Sequence, residues 1–231
     1  MSAPFKGAIG NIVEKGLDVT SKKIKKPTRI REITPIAGKT DILKSRILRA
    51  VNIMSSHGAN AWATQVLAGE GAGDFHIYGR YKNFSDAAKA FTSFSKDPEM
   101  VAVQQERETD QAGHMRGPWI GRLMFSSPAT GTDMPISVHR DFHMPKSSIP
   151  AVMELAPKFA NALEPMGVEM AIGPQLMGHD HEMFRSIYRF SSIEHWGECV
   201  DKMLSSEELQ SLFKQAGELG TLKTSRMMTK I

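Results

Sequence analysis

The 231-residue chain contains only one cysteine, Cys199. A single thiol excludes an internal disulfide, so nothing in the sequence requires an oxidising compartment. The chain also lacks any apolar run close to the roughly 20 residues that span a bilayer, and it does not begin with the apolar core of a signal peptide. From these absences we predict a cytoplasmic protein without a membrane span.

Motifs of several enzyme classes are missing as well. The sequence has no serine elbow between a strand and a helix, and it has no cysteine constellation. Residues 68–73 are rich in glycine, but they connect two predicted strands, whereas a phosphate-binding loop leads from a strand into a helix. These patterns argue against a nucleotide-binding loop and against a covalent hydrolase.

The net charge of +4 comes mainly from one stretch near the N-terminus. The cations of this stretch are Lys22, Lys23, Lys25, Lys26, Arg29 and Arg31. No aromatic residue lies between them, as it would in a nucleic-acid surface, so we predict no nucleic-acid partner. Residues 1–27 are predicted to form a basic N-terminal extension that Pro27 separates from the first domain. The extension is either a solvated tail or an arm used in assembly.

The sequence repeats itself weakly over about a hundred residues, which is the size of one small domain copied and fused. Similar residues recur at one constant offset without a gap. The matched pairs include Gly58 with Gly167, Leu67 with Leu176, Phe75 with Phe184 and Arg80 with Arg189. The order of strand-like, turn-like and helix-like segments is also the same in both copies.

Each copy is predicted to contain four strands and three helices. In the first copy the strands are residues 28–36, 59–67, 74–81 and 119–125, and the helices are residues 40–56, 84–94 and 97–108. In the second copy the strands are residues 136–144, 168–176, 183–190 and 221–229, and the helices are residues 148–163, 193–204 and 207–219. Apolar residues at helical spacing, side-chain caps such as Asn83 and Ser192, and glycine-rich turns support these bounds.

This order is βαββαβ with the final helix split into two pieces. It predicts an α+β protein made of two tandem ferredoxin-like repeats. The first repeat covers residues 28–125, a linker rich in Ser, Pro, Thr and Gly covers residues 126–135, and the second repeat covers residues 136–231. The sheets of both repeats are expected to be antiparallel.

The chain resembles the dimeric α/β-barrel superfamily over about residues 28–230. The features that carry the resemblance are the twofold βαββαβ plan, the junctions at residues 80–84 and 189–193, and Asp97-Pro98-Glu99 at the start of a late helix. Similar proteins include antibiotic-biosynthesis-type monooxygenases, NIPSNAP-like and EthD-like proteins, muconolactone isomerases and haem-handling chlorite-dismutase-like proteins. The resemblance implies two sheets packed face to face as a barrel, with helices outside. A fused pair could close one barrel within a chain, and free edges would support a homo-oligomer.

The first strand of the second repeat carries an unusual polar face. Ser137, His139, Asp141 and His143 alternate along it and share one side. Imidazoles on this face could act as general bases, or bind a divalent metal together with Asp141. The alternative is a half-exposed strand whose polar side is solvated. We predict His139 and His143 as catalytic residues.

The middle strands of the two repeats contribute a second polar group. His76, Tyr78 and Arg80 share a face in the first repeat, and Arg189 is the counterpart of Arg80 in the second. His76 and Tyr78 are predicted to be catalytic because either could deliver a proton. Arg80 and Arg189 are predicted to orient an anionic substrate, although they could also pair with carboxylates at the barrel rim.

Two tryptophans are predicted to bind substrate as well. Trp62 and Trp119 could line a pocket between the sheets or simply fill the core. The adjacent residues 179–182, His-Asp-His-Glu, suggest a metal at first sight, but one hairpin supplies too few convergent ligands. His195 is expected to cover the sheet. No metal and no cofactor is predicted.

These observations favour a protein that binds a small-molecule substrate or ligand inside a barrel. The leading hypothesis is a cofactor-independent enzyme related in type to monooxygenases or isomerases, with a pocket of His, Tyr and Arg side chains. One alternative is a structural or assembly protein that uses its N-terminal arm and barrel edges. A second alternative is a haem- or metal-binding barrel protein.

Overall fold

The computed structural model describes residues 26–231. The predicted N-terminal extension, residues 1–27, lies outside the described residues except for its last two positions. Pro27, which was predicted to separate the extension from the first domain, is the buried first residue of a strand. Within residues 26–231, no helix combines the length and the apolar character needed to cross a bilayer.

The first repeat has the element order predicted from the sequence. Its elements are Pro27–Pro35 (β1), Thr40–Ser56 (α1), Asn60–Gly69 (β2), Phe75–Arg80 (β3), Phe84–Phe94 (α2), Pro98–Thr109 (α3) and Gly113–Arg122 (β4). Asn83 and Asp97 cap α2 and α3, because their side chains accept hydrogen bonds from backbone N–H groups of the first turn. Helix α1 differs, since it begins after Lys39 without a side-chain cap.

The second repeat follows a two-residue strand, Phe125–Ser126 (β5), and a loop. Its elements are Ile136–His143 (β6), Ile149–Leu163 (α4), Glu169–Met177 (β7), Met183–Phe190 (β8), Ile193–Ser205 (α5), Glu207–Gly217 (α6) and Thr221–Lys230 (β9). Ser192 caps α5 as predicted, and Ser206 caps α6. Helix α4 contains Pro157 in its interior and continues through it.

The strands close into a barrel. Within residues 26–231, nine strands form one sheet in the order β4-β1-β3-β2-β9-β6-β8-β7-β5, and an additional pairing joins β4 to β7. Every strand pair in the sheet is antiparallel. Each repeat contributes four consecutive strands, and β2–β9 and β4–β7 are the two seams between the repeats. Closure removes the open edges that the isolated repeats would present.

Each repeat has its own apolar core between its sheet and its helices. In the first repeat, Ile33, Ile47 and Phe75 are buried in this core. In the second, Leu163 and Phe190 have the same role. The opposite face of every strand points into the barrel, because successive side chains of a strand alternate between the two sides of the sheet. The helices therefore stabilise the outside of the barrel, and the inside is left for other side chains.

Strand β4 begins six residues earlier than the sequence predicted, at Gly113 rather than residue 119. In a sequence, the dipeptide Gly117-Pro118 predicts an interruption of a strand. In the structure, Gly117 has a φ of +85° and lies where the pairing of β1 with β4 shifts in register. A β-bulge absorbs an irregular residue without ending the strand, so the strand passes through this dipeptide.

Glycines permit close backbone approach at both seams. A Cβ atom on Gly69 would lie 2.2 Å from the carbonyl oxygen of Ser225, at the junction of β2 with β9. A Cβ on Gly173 would lie 1.8 Å from the carbonyl oxygen of Arg122, where β7 meets the end of β4. A side chain at either position would push the two repeats apart.

We predict that Gly173→Ala destabilises the protein by about 1–3 kcal/mol, because the new methyl group has no space without a backbone shift at the seam. The free energy of unfolding in urea measures the effect. Gly197→Ala is the matched control, because a Cβ there meets no atom within 4 Å in the described structure. Alanine is favoured over glycine in a helix by roughly 0.5–1 kcal/mol, so this variant should be as stable as the parent or more so. Equal losses in both variants would contradict the seam as described.

Candidate functional site

The barrel interior is polar at its centre. On β6, Ser137, His139 and Asp141 point inward and are at most 9% exposed. On β3, His76 and Tyr78 point inward and are at most 2% exposed. The alternative of a solvated polar face on β6 therefore does not hold, since these side chains are enclosed by the opposite wall of the barrel.

A cavity of about 330 Å³ lies at one end of the barrel, next to this polar centre. His139 and Ser137 form part of its wall, and so does the ring of Tyr78. Trp62 and Trp119 also line it. Trp62 stacks on Tyr78 with 5.0 Å between ring centroids and an angle of 9° between the planes. Flat aromatic walls of this kind suit a flat organic ligand.

A chain of hydrogen bonds runs from the centre of the barrel to the cavity. The Nδ1 atom of His76 lies 3.1 Å from Oη of Tyr78, and that oxygen lies 3.5 Å from Nδ1 of His139. The Nε2 atom of His139 then lies 3.2 Å from Oγ of Ser137. Strand β3 of the first repeat and strand β6 of the second are thus connected at the barrel axis through His76, Tyr78 and His139.

The hydrogen-bonding pattern assigns a direction to this chain. Nη1 of Arg226 lies 3.4 Å from Nε2 of His76, and a guanidinium only donates, so this nitrogen is an acceptor. Neutral His76 then carries its proton on Nδ1 and donates to Tyr78. Tyr78 has one proton to donate, and Nδ1 of His139 is a stronger acceptor than Sδ of Met228, which lies at a similar distance. A hydrogen bond from Tyr78 to Nδ1 places the proton of neutral His139 on Nε2. The chain therefore presents an N–H of His139 to Ser137 and the cavity.

The histidines of the chain are neutral at ordinary pH. Burial lowers the pKa of His76 to about 2, and the charges of Arg226 and Arg185 act in the same direction. Burial likewise lowers the pKa of His139 well below its ordinary value, assisted by the charge of Arg185. Burial raises the pKa of Tyr78, so its hydroxyl keeps its proton. These pKa shifts leave His76, Tyr78 and His139 uncharged, so the chain consists of neutral donors and acceptors.

Two carboxylates and two arginines balance one another beneath the cavity. Arg185 donates to both oxygens of Asp141, at 2.5 and 2.7 Å. Burial opposes ionisation of Asp141, but the charge and hydrogen bonds of Arg185 outweigh it and lower the pKa of this carboxyl to about 2. Arg226 lies 3.0 Å from Glu32 and 3.5 Å from Asp141. Glu32 belongs to the first repeat and Arg226 to the second, so this ion pair links the repeats.

The two predicted substrate-binding arginines both line the cavity but differ in their partners. Arg189 lies 3.4 Å from Glu169, as the rim-pairing alternative anticipated. Arg80 has no hydrogen-bonded acceptor among the described residues, and its Nε is buried without a partner. Its guanidinium lies 5.1 Å from the ring of Trp62. Burial and the charge of Arg189 lower the pKa of Arg80 to about 10, still far above neutrality.

Other histidines singled out in the sequence lie elsewhere. His143, predicted to be catalytic, is at the barrel rim, where it contacts Asp180 at 2.8 Å and Glu182 at 3.4 Å. The structure does not bring it together with His139. His179 lies against Trp119, with 5.5 Å between ring centroids. His195 covers the sheet and contacts the carbonyl oxygen of Met166 at 2.7 Å.

The residues present do not fit an axial haem ligand. Five histidines in the described chain have both ring nitrogens engaged with protein atoms: His57, His76, His139, His143 and His195. The other three, His114, His179 and His181, are exposed. In residues 26–231, no group of three or more His, Cys, Asp or Glu side chains is arranged to hold a metal ion.

Sequence reasoning did not single out Glu32, Arg185, Arg226 or Met228 as site residues. Met228 lies 3.6 Å from Oη of Tyr78, and the others form the buried ion pairs. Arg226 and Met228 are two residues apart on β9 and so share one face. The sequence does not show which face of β9 points into the barrel, because that depends on pairing with β2 of the other repeat.

No family model and no curated protein sequence matches this chain. Several solved structures do match it in three dimensions. A candidate monooxygenase from Fusobacterium nucleatum has a TM-score of 0.61 at 10% identity, covering 89% of this chain and 93% of that one. An anthrone oxidase-like protein has a TM-score of 0.61 at 12% identity, covering 90% and 92%.

A chlorite dismutase variant from Candidatus Nitrospira defluvii has a TM-score of 0.52 at 10% identity, covering 90% of this chain and 92% of that one. Identities this low show the fold alone. The predicted fold is thereby confirmed: the chain has the dimeric α/β-barrel fold, with both halves of the barrel in one polypeptide.

We predict that the protein loses stability in mild acid through its buried histidines. Below the ordinary histidine pKa of 6.5, the unfolded chain takes up a proton at His76 that the folded chain does not. Between pH 7 and 5.5 this costs about 1 kcal/mol per buried histidine. Urea unfolding at both pH values measures the loss, and His76→Gln should reduce it by that amount.

The matched control for this measurement is His181→Gln, because His181 is exposed. The difference in pH dependence between the two variants then isolates the contribution of the buried side chain. An unchanged pH dependence in His76→Gln would show that His76 is protonated in the fold and would contradict the neutral chain.

Proposed function

We propose that the protein is an enzyme of the oxygenase or isomerase type that binds a small enolisable or phenolic molecule in its barrel cavity. In this proposal the site stabilises the anion formed when the substrate loses a proton. The observation that carries it is a surplus of hydrogen-bond donors at the cavity, two of which have no acceptor among the described residues. Arg80 has a buried Nε without an acceptor, Arg185 has a buried Nη1 without one, and His139 presents an N–H.

His139 suits the role of donor better than that of general base. A base works well when its pKa is near the working pH, and burial keeps the pKa of His139 well below its ordinary value. A neutral imidazole can instead donate a hydrogen bond from Nε2 to a developing oxyanion, directly or through Ser137. His76 and Tyr78 are positioning residues in this scheme, because they hold the proton of His139 on Nε2.

Arg80 and Arg189 are proposed to bind the charged or polarised end of the substrate, as the sequence suggested. Arg80 is the stronger candidate, since Glu169 already neutralises Arg189. Trp62 and Trp119 would hold the flat body of the substrate between them and Ile187, which also lines the cavity. A charge-assisted hydrogen bond in an enclosed site is stronger than one in water, so binding and ionisation of the substrate are coupled.

Anion stabilisation serves either reaction class. The anion can pass electrons to dioxygen, which gives an oxygenated or oxidised product, or it can take its proton back at another carbon, which gives an isomer. The descriptions of two structural neighbours, the candidate monooxygenase and the anthrone oxidase-like protein, support the first outcome. His143 is left out of the proposed site, because it is paired at the rim and outside the cavity lining.

We predict that the protein accelerates the oxidation of anthrone by dioxygen to anthraquinone and water. Anthrone is a flat ketone whose methylene proton is acidic, so it matches the proposed substrate class. His139→Ala should lower kcat by about 100-fold or more, the usual effect of losing one oxyanion donor. Arg80→Gln should mainly raise KM. Oxygen uptake and anthraquinone absorbance measure both constants.

His114→Gln is the control, because it also removes one histidine but from an exposed position outside the cavity lining. The pH dependence separates a donor from a base. If His139 were a general base, activity would fall as the pH is lowered from 8 to 6, and this fall would be absent in His139→Ala. A neutral donor predicts no such fall. No acceleration by the parent protein, or full activity in His139→Ala, would contradict the proposal.

A further inference from the structure

A second cavity of about 190 Å³ lies on the outer side of the first repeat, between its sheet and helices α1, α2 and α3. It is on the opposite face of β1 from the barrel interior. Its lining includes an apolar body from Ile33, Ile47 and Met100, and cations from Arg31 and Arg107. The proposed barrel chemistry does not use this space.

The second repeat shows why the cavity exists. At the constant offset of the repeat, Ala50 on α1 corresponds to Phe159 on α4, and Gln104 on α3 corresponds to Phe213 on α6. Phe159 and Phe213 pack together with 5.2 Å between ring centroids and belong to the apolar core. The first repeat has a methyl group and an amide where the second has two phenyl rings, and the missing volume leaves a cavity.

The arginines of the two repeats confirm this comparison. Arg140 in the second repeat lies 5.7 Å from the ring of Tyr188 and 6.0 Å from that of Phe213. In the first repeat the counterpart of Arg140 is Arg31, and the counterparts of Tyr188 and Phe213 are Gly79 and Gln104. Arg31 therefore has neither aromatic ring beside it. The cationic side chain is retained, but the aromatic surface that covers it in the second repeat is gone.

Three guanidinium groups converge on the cavity without counter-ions. Arg29, Arg31 and Arg107 form no ion pair within the described residues, whereas the neighbouring Arg46 contacts Glu106 and Asp110. Both Arg31 and Arg107 contact Sδ of Met115 instead of a carboxylate. Arg29 lies over the rings of Phe91 and Phe94, at 5.6 and 5.5 Å, and its Nε is buried without a partner.

The charges of this group are uncompensated. Burial and the like charges of Arg29 and Arg107 lower the pKa of Arg31 to about 10, so it stays protonated at neutral pH. Arg29 and Arg31 are half-buried and Arg107 is exposed. Cations that are partly removed from water are normally paired, and guanidinium groups bind carboxylates with high geometric complementarity. An apolar cavity with unpaired guanidinium groups at its wall fits a ligand with one anionic head and an apolar body.

We infer that the first repeat contains a second ligand site, separate from the barrel cavity, for a small amphipathic carboxylate. The carboxylate contacts Arg31 and Arg107, and the apolar body occupies the space that Phe159 and Phe213 fill in the second repeat. This inference does not depend on the proposed enzymatic reaction.

The test uses octanoate as the probe and methyl NMR of the full chain with labelled methionines. Octanoate should shift the methyl signals of Met115 and Met100, which line this cavity, in a saturable manner. Met183 lines the barrel cavity and reports separately on binding there. Octylamine has the same chain with a positive head, and it should leave Met115 and Met100 unshifted.

Variants distinguish the site from general adsorption. Arg31→Gln and Arg107→Gln should each weaken octanoate binding about tenfold or more, the effect of losing one charge-assisted hydrogen bond. Ala50→Phe with Gln104→Phe should abolish binding by filling the cavity as in the second repeat. Lys89→Gln removes an equal charge from an exposed position on α2 and should change nothing.

The inference is overturned if octanoate gives no saturable shift at Met115 and Met100, or if octylamine shifts them equally. Unchanged affinity in both single arginine variants would also overturn it. These single variants keep the test decisive should the double phenylalanine variant not fold, because Arg107 is exposed and its replacement leaves the core intact. Arg80→Gln should not alter the Met115 response, which keeps this result independent of the barrel site.

Discussion

The pairing of Arg226 with Glu32 and Asp141 is the interaction on which the rest of the barrel depends. Arg226 lies at 6% exposure in the second repeat, and Glu32, at 4%, lies in the first. Loss of Arg226 would leave Glu32 with Arg116 as its remaining arginine partner, and Asp141 with Arg185. Removing one member of a buried ion pair costs far more than the net contribution of the pair. The pairing therefore fixes how the two sheets face each other, beyond what the short seams between β2 and β9 and between β4 and β7 provide.

Charge balance at the centre determines the character of the cavity above it. Asp141 and Glu32 are matched by Arg185 and Arg226, so no negative charge remains there to hold a protonated histidine. The imidazoles stay neutral, and their hydrogen bonds point toward the cavity. Arg80 adds a positive charge without a carboxylate partner among the described residues. The cavity is thus rich in donors and suited to an organic anion.

The order of strands and helices could be predicted from the sequence, because it depends on local signals that occur twice. The barrel itself was expected only from the resemblance to the dimeric α/β-barrel superfamily. Side-chain caps such as Asn83 and Ser192 marked helix starts correctly. Alternation grouped His139 with Ser137 and Asp141, and Tyr78 with His76, but which face points into the barrel comes from the structure. What could not be predicted depends on contacts between the repeats. The position of His143 at the rim and the role of Arg226 follow from strand register across the seams, which sequence periodicity does not contain.

The central claim, that the barrel cavity stabilises a small organic anion through uncharged and cationic donors, can be tested with 4-nitrophenol, whose yellow phenolate reports its own ionisation. Absorbance as a function of pH, with protein in excess, gives the pKa of the bound phenol. The account predicts a lower pKa for bound than for free nitrophenol, and a return toward the free value in His139→Ala and in Arg80→Gln. An unchanged or raised pKa on binding would contradict it.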